Sequence, residues 1–455
     1  MERREAMQIK TSIRMMGWII LWIGLCPSSW GQALEISGVL PADTTWGPNQ
    51  TVLVKNDLTV PENITLTILS GCVIQFAGLA VDLEVQGVLN VEGTASAPVI
   101  FQPAAGVNYW GGIFMNGETP GRPSSLEYAV IESGGSNFAS STGTTQFRIL
   151  DASPRIQHGT FRNSNTNGLR MENSEVVLSD CVFSGNKEDA MQMTPGCSPA
   201  LSNNSATGNR FDGTRIDGGK IQQANVWRFS NLPYLVDNDI QIDSGASLTI
   251  EAGTVIQFGG LQADLIAIGK LTAVGGNGNP IVFTSLNDTA ANSWGGILFS
   301  GNETNASLLE YCELRHGGSN FASATQDAMV RCENASPMFR NCGVEASKNH
   351  GVSLVISAAV FSSVLFKGNS RAAVTMDTAS FPVLTSISAE GNGFDAIQIG
   401  GGSLTANGRW DYAEIPYLLA GDVTIESGVT LTIDPATIIQ GGDLAVDLLV
   451  KGTLN

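Results

Sequence analysis

The chain has 455 residues, with 24 Lys and Arg against 42 Asp and Glu, a formal charge of −18. That balance argues against nucleic acid as a partner, because a phosphate-binding surface needs a basic stripe. Apolar residues make up 43% of the chain, too many for a disordered polymer, and 3 histidines leave little for any mechanism that needs several of them.

Residues 1–33 read as a secretory signal peptide. Arg3, Arg4, Lys10 and Arg14 give a basic start, residues 15–26 form an apolar run, and Pro27 breaks it. Gly31-Gln32-Ala33 then offers small residues for cleavage. So short an apolar run does not span a bilayer comfortably, and no later run is long enough, so no transmembrane segment is expected after the signal peptide. Export places Cys72, Cys181, Cys197, Cys312, Cys332 and Cys342 in an oxidising space. No C-x-x-C pair occurs, so no zinc site is expected. The cysteines read as small buried hydrophobes with at most one or two disulfides.

After a lead-in over 34–45, one module is written two and a quarter times: 46–226, 227–409 and 410–455. Trp46, Trp227 and Trp410 open the copies at nearly equal intervals. Leu66-Thr67-Ile68 recurs as Leu248-Thr249-Ile250 and Leu431-Thr432-Ile433. Val73-Ile74-Gln75-Phe76 recurs as Val255-Ile256-Gln257-Phe258, and Trp110-Gly111-Gly112-Ile113 as Trp294-Gly295-Gly296-Ile297. The segment G-G-S-N-F-A-S at 134–140 returns letter for letter at 317–323. The third copy halts at Asn455, which leads us to expect an uncovered edge there and end-to-end self-association.

Within each module a shorter period appears: Leu169-Arg170-Met171, Met191-Gln192-Met193 and Thr214-Arg215-Ile216 follow one another at a nearly constant step. Short alternating apolar runs are separated by Asn, Gly, Ser and Asp, which reads as strand, turn, strand. A strand of three to five residues cannot bury its inward face alone, but stacked coils about 4.8 Å apart pair each strand with its copies above and below. The fold predicted is all-β, a right-handed parallel β-helix of about 22 residues per coil and about 19 coils. Leu66, Ile68 and Val73, with Leu248, Ile250 and Val255, are expected to face inward.

The second copy carries the fullest line of the module: Trp227, Tyr234-Leu235-Val236, Asp239-Ile240, Gly245, Leu248-Thr249-Ile250-Glu251, Gly253-Thr254-Val255-Ile256 and Phe258. This line resembles the right-handed parallel β-helix proteins of the pectin-lyase-like superfamily, and more narrowly bacterial secreted β-helix repeat proteins. The resemblance covers residues 40–455 and implies fold and secretion; the superfamily holds lyases, hydrolases, adhesins and scaffolds, so it implies no single activity.

The acid motifs of the polysaccharide hydrolases of this fold are missing. Asn165-Thr166-Asn167 lacks the acid, Arg215-Ile216-Asp217 lacks the lysine, and no Asp pair or G-H-G occurs. Asp237 and Asp239 read as turn residues, and no cofactor or metal set is expected beyond a weak Ca²⁺ site on the acidic surface. Arg315 and His316 are the only catalytic candidates, and the first copy has Glu132 and Ser133 there. Tyr109 and Trp110 are adjacent in a strand and point to opposite sides, with Trp110 packing inward. The carbohydrate-binding candidates are Asn137, Phe138, Asn320 and Phe321, an amide beside an aromatic ring on each flank loop. The reading is a secreted or cell-surface β-helix scaffold, adhesin-like and leaning non-catalytic, that binds extracellular polysaccharide or cell-surface glycan. The alternative is an extracellular polysaccharide lyase or glycoside hydrolase. Replacing Ile250 by Asp should cost several kcal/mol by burying an unpaired charge, read as a lowered thermal midpoint.

Overall fold

Nearly all of the structure consists of short strands, each paired in parallel with strands one coil away. The computed structural model describes residues 33–136, 145–261, 263–286, 288, 294–319, 328–442 and 445–455. Residues 33–455 form one parallel β-helix of about 17 coils; the one helical turn described, Asn302–Ala306, is 3-10. The coils are fewer than expected because some are longer than the basic period. Phe114 pairs with Arg148, and Leu298 with Arg331, each partner lying well beyond one basic period along the chain. Insertions between strands, not extra coils, absorb that length.

Each coil contributes a strand to each of three faces. In the first module the first face runs from Thr44–Trp46 to Ala200–Ser202. The second runs from the first half of Thr51–Val60 to Ser205–Thr207, and the third from its second half to Phe211–Ile216. Inward residues form continuous columns. Ile68, Val91, Leu126, Ile156, Leu178 and Leu201 stack on the first face, all buried. On the second, Phe161 lies over Phe183 with centroids 4.8 Å apart, the spacing of the coils themselves. Fully burying one such side chain contributes roughly 1.5–3 kcal/mol. Leu66, Ile68, Leu248 and Ile250 face inward as expected. Val73 and Val255 do not: they open their strands half-buried, and period two puts Ile74, Phe76, Ile256 and Phe258 inside.

The copies are not stacked in phase. After Phe211–Ile216 the third face continues through Tyr234–Val236 and Val255–Phe258. The first two faces end, and fresh ladders start at Gly219–Ile221 and Ala224–Trp227. Val73–Phe76 and Val255–Phe258, identical in sequence, therefore stand on different faces. The same slip recurs when Phe394–Ile399 hands its ladder to Tyr417–Leu419 while new ladders open at Gly402–Leu404 and Gly408–Trp410. A module is thus seven coils plus one face. Trp227 and Trp410 stand in the restarting strands, buried and stacked near Tyr234 and Tyr417 at 6.1 Å and 5.4 Å. Bulky rings there fill the interior where the column below is interrupted.

One corner is closed by buried asparagines. Asn186 Oδ1 accepts the Ser164 amide at 3.0 Å, and its Nδ2 donates to Phe161 O at 3.2 Å and to Asn209 Oδ1 at 2.8 Å. Asn369 repeats the pattern with Ser347, Val344 and Asn392. An amide both accepts and donates, so one side chain satisfies the turn of its own coil and of its neighbour. Asn186→Ala strands these backbone groups in a dry corner. It should lower unfolding stability by about 2–3 kcal/mol in a denaturant titration, as should Asn369→Ala.

Candidate functional site

The repeated letters of the flank loops first serve the fold. Gly135 N donates to Gly111 O at 2.7 Å and Ser136 N to Trp110 O at 3.1 Å. In the second copy Gly318 and Ser319 make the same bonds to Gly295 and Trp294, at 2.7 and 3.2 Å. Gly135 and Gly318 sit at φ +81° and +83°, and a Cβ on Gly318 would lie 2.1 Å from Ser347 Oγ, so glycine is required. The indoles beneath are buried: Trp110 stacks on Phe76 at 3.7 Å and Trp294 on Phe258 at 4.1 Å. Asn137, Phe138, Asn320 and Phe321 lie outside the described residues. The strands that lead into their loops, Ala129–Glu132 and Cys312–Arg315, stand on different faces, so the two loops leave from different corners.

Arg315 and His316 do come together with a carboxylate. His316 Nδ1 lies 3.1 Å from Asp288 Oδ1 and 3.4 Å from Thr284 Oγ1, and Arg315 Nη2 lies 3.3 Å from Asp288 Oδ2. His316 sits at φ +65°, the left-handed corner held by Ser133 in the first copy. Asp288 and Thr284 meet the same ring nitrogen, so the trio does not form a relay through both nitrogens. His350 is a core histidine: its Nδ1 accepts the Ala372 amide at 3.2 Å, and burial lowers its pKa to about 4.

On the third face a row of outward side chains is charged. Arg148, Arg170, Gln192 and Arg215 occupy one register in successive coils. Arg170 Nη2 reaches Asp217 at 2.8 Å, Arg148 Nε reaches Glu172 at 3.1 Å, and Arg215 pairs with Asp189 and Asp237. Burial opposes ionisation of Glu172, but Arg148 and Arg170 outweigh it and hold its carboxyl below the ordinary range. The regular spacing of these letters was visible in the sequence as a structural grid; their ion pairing was not. Asp237 is thereby bound to Arg215, and Asp239 Oδ1 accepts the Asp264 amide at 3.1 Å. Among the described residues no three His, Cys, Asp or Glu side chains converge as a metal site.

The corner between the second and third faces of the first module holds a cavity of about 510 Å³ lined by Asn108, Tyr109, Ser133, Asn163, Ser164 and Lys187. Tyr109 is half-buried, on the opposite side from buried Trp110. Lys187 Nζ stands 4.7 Å from the Tyr109 ring centroid and donates to Asn165 Oδ1 at 2.7 Å. An aromatic ring, amides, hydroxyls and a cation thus meet at the root of the first flank loop. The second copy has Ala346 and Ser370 where the first has Asn163 and Lys187. Sequence reading missed this group because its members come from four successive coils.

One buried acid is strongly perturbed. Asp264 lies beneath Gly295, whose Cβ would fall 1.5 Å from its Oδ1. Burial, then the Asp239 charge, raises its pKa to about 7. The amide-to-carboxylate link recurs from Asp82 to Asp57 and from Asp447 to Asp422, which marks it as part of the coil. The unfolded carboxyl titrates near ~3.9, so the neutral folded acid contributes stability that is complete below about 4 and lost as pH rises through about 7. Asp264→Asn should match the parent protein at low pH and exceed it by roughly 2–4 kcal/mol above pH 7, read from melts across pH.

Residues 219–331 match the family model described as a pectate-lyase like beta helix domain, beginning at the strand that restarts after the first slip. A stretch of 95 residues, 21% of this chain, is 36% identical to Protein bark beetle of Drosophila melanogaster. The chain spans about 3% of the length of that curated relative. No solved structure matches. These matches carry the fold and not the bacterial origin that the sequence resemblance implies. The matched stretch lies inside the stack of parallel coils, so the chain is a parallel β-helix protein that is similar, over residues 219–331, to pectate-lyase-like β-helix domains.

Proposed function

We propose that this protein is an exported, non-catalytic β-helix scaffold that binds a neutral extracellular polysaccharide or cell-surface glycan at the Tyr109 corner. The observation that carries the reading is the cavity itself, where Tyr109 supplies a ring face and Asn108, Asn163 and Lys187 supply hydrogen-bonding groups. Sugars present C–H faces to rings and hydroxyls to amides. A neutral chain suits the site better than a uronan. The arginines of the third face are already paired with carboxylates, and a charge of −18 repels polyanions. Export rests on the basic-then-apolar start of the sequence; among the described residues no helix is long and apolar enough to cross a membrane.

The rival reading, a lyase or hydrolase of the same fold, draws on the Arg315, His316 and Asp288 cluster. Affinity electrophoresis in gels holding neutral glucans, mannans or polygalacturonate separates the two. Retardation by a neutral glycan, weakened about tenfold by Tyr109→Ala and preserved by Tyr109→Phe, is expected. Unsaturated uronides released from polygalacturonate and lost in Arg315→Ala would replace the scaffold with the lyase.

A further inference from the structure

Two of the cysteines beyond the first segment meet. Cys312 opens the strand Cys312–Arg315, and Cys342 immediately precedes Gly343–Glu345. Glu313 pairs with Gly343, so Cys342 stands directly over Cys312 in the next coil. The two thiols stand near enough to shift each other's ionisation. Cys312 Sγ also reaches Ala273 O at 3.4 Å, and Cys342 Sγ reaches Leu309 O at 3.4 Å. Coils spaced about 4.8 Å apart bring stacked Cα atoms within the roughly 4.4–6.8 Å that a disulfide spans. Both residues line a groove of about 490 Å³ whose wall includes Gly276, Gly278 and Pro280, which gives small reagents a way in. In the first copy Ala129 and Gly159 hold these positions, so the coil does not require the thiols.

We propose that Cys312 and Cys342 form a coil-to-coil disulfide by exchange with a small-molecule disulfide, and that this bond staples the base of the second flank loop. Residues 313–341 lie between them in sequence, so the bond closes a ring that includes them. Cys342, the more exposed of the two, attacks one sulfur of the small disulfide and expels one thiolate. Cys312 then attacks Cys342 Sγ and expels the second. Two protein thiols are oxidised, one small disulfide is reduced to two thiols, and the two protons lost by the protein thiols end on the expelled thiolates. The neighbouring Cys312 thiol lowers the pKa of Cys342, while burial raises that of Cys312, which favours this order. Cys181 bonds to the carbonyls of Ile156 and Ser179 and Cys197 to the Thr194 hydroxyl, and among the described residues no second cysteine acts on either thiol.

The test is equilibration of the full chain with oxidised glutathione, followed by thiol counting under denaturing conditions and peptide mass spectrometry. Loss of two thiols, a peptide pair linked through 312 and 342, and a thermal midpoint raised by several degrees and reversed by reductant are expected. Cys342→Ser should abolish the two-thiol loss, and Cys181→Ser should leave it intact. Full retention of thiols would overturn the proposal. So would a glutathione adduct at Cys342 that never closes, or linkage confined to other cysteines.

Discussion

Hydrogen bonding from coil to coil is the constraint on which the rest of this molecule depends. Strands of three residues, such as Thr160–Arg162 and Val182–Ser184, have too little surface to stand alone and hold only because each pairs in register with the next. Register then dictates what lies over what. Phenylalanine stacks on phenylalanine at the coil spacing, and buried asparagine hydrogen-bonds to asparagine around the Asn186 and Asn369 corners. The same rule brings Cys312 under Cys342 and sets the arginines of the third face in one row.

The slip of one face between copies turns this regular stack into something less symmetrical. A ladder that belongs to the third strand of one module becomes the second strand of the next, and only one ladder in three passes through each junction. Repeated sequence therefore does not yield a repeated surface along one side of the rod. The two flank loops leave from different corners, so avid binding of one straight polymer by both is not built into the geometry.

The copies serve as controls for one another. Letters that agree, such as W-G-G and G-G-S, make the same bonds in both modules and hold the loop root to the coil. Letters that differ mark what the fold leaves free. Tyr109 and Lys187 shape a corner cavity only in the first copy; Arg315, His316 and the thiol pair belong only to the second. The functional readings offered above come from the second class of residue, where packing does not explain the choice.

The amino-acid sequence alone determined the class of fold, the module and the inward columns at Leu66, Ile68, Leu248 and Ile250, because the strand period and the coil period are both local and leave a direct trace in the order of letters. It misplaced Val73 and Val255, since where a strand begins decides its parity and turn residues fix that only to within one position. It overcounted coils because insertions have no period. The slip between modules, the Tyr109 corner and the meeting of Cys312 with Cys342 were decided by tertiary structure. Each depends on which coil lies above which, and that follows from the sum of all intervening loop lengths and not from any one segment.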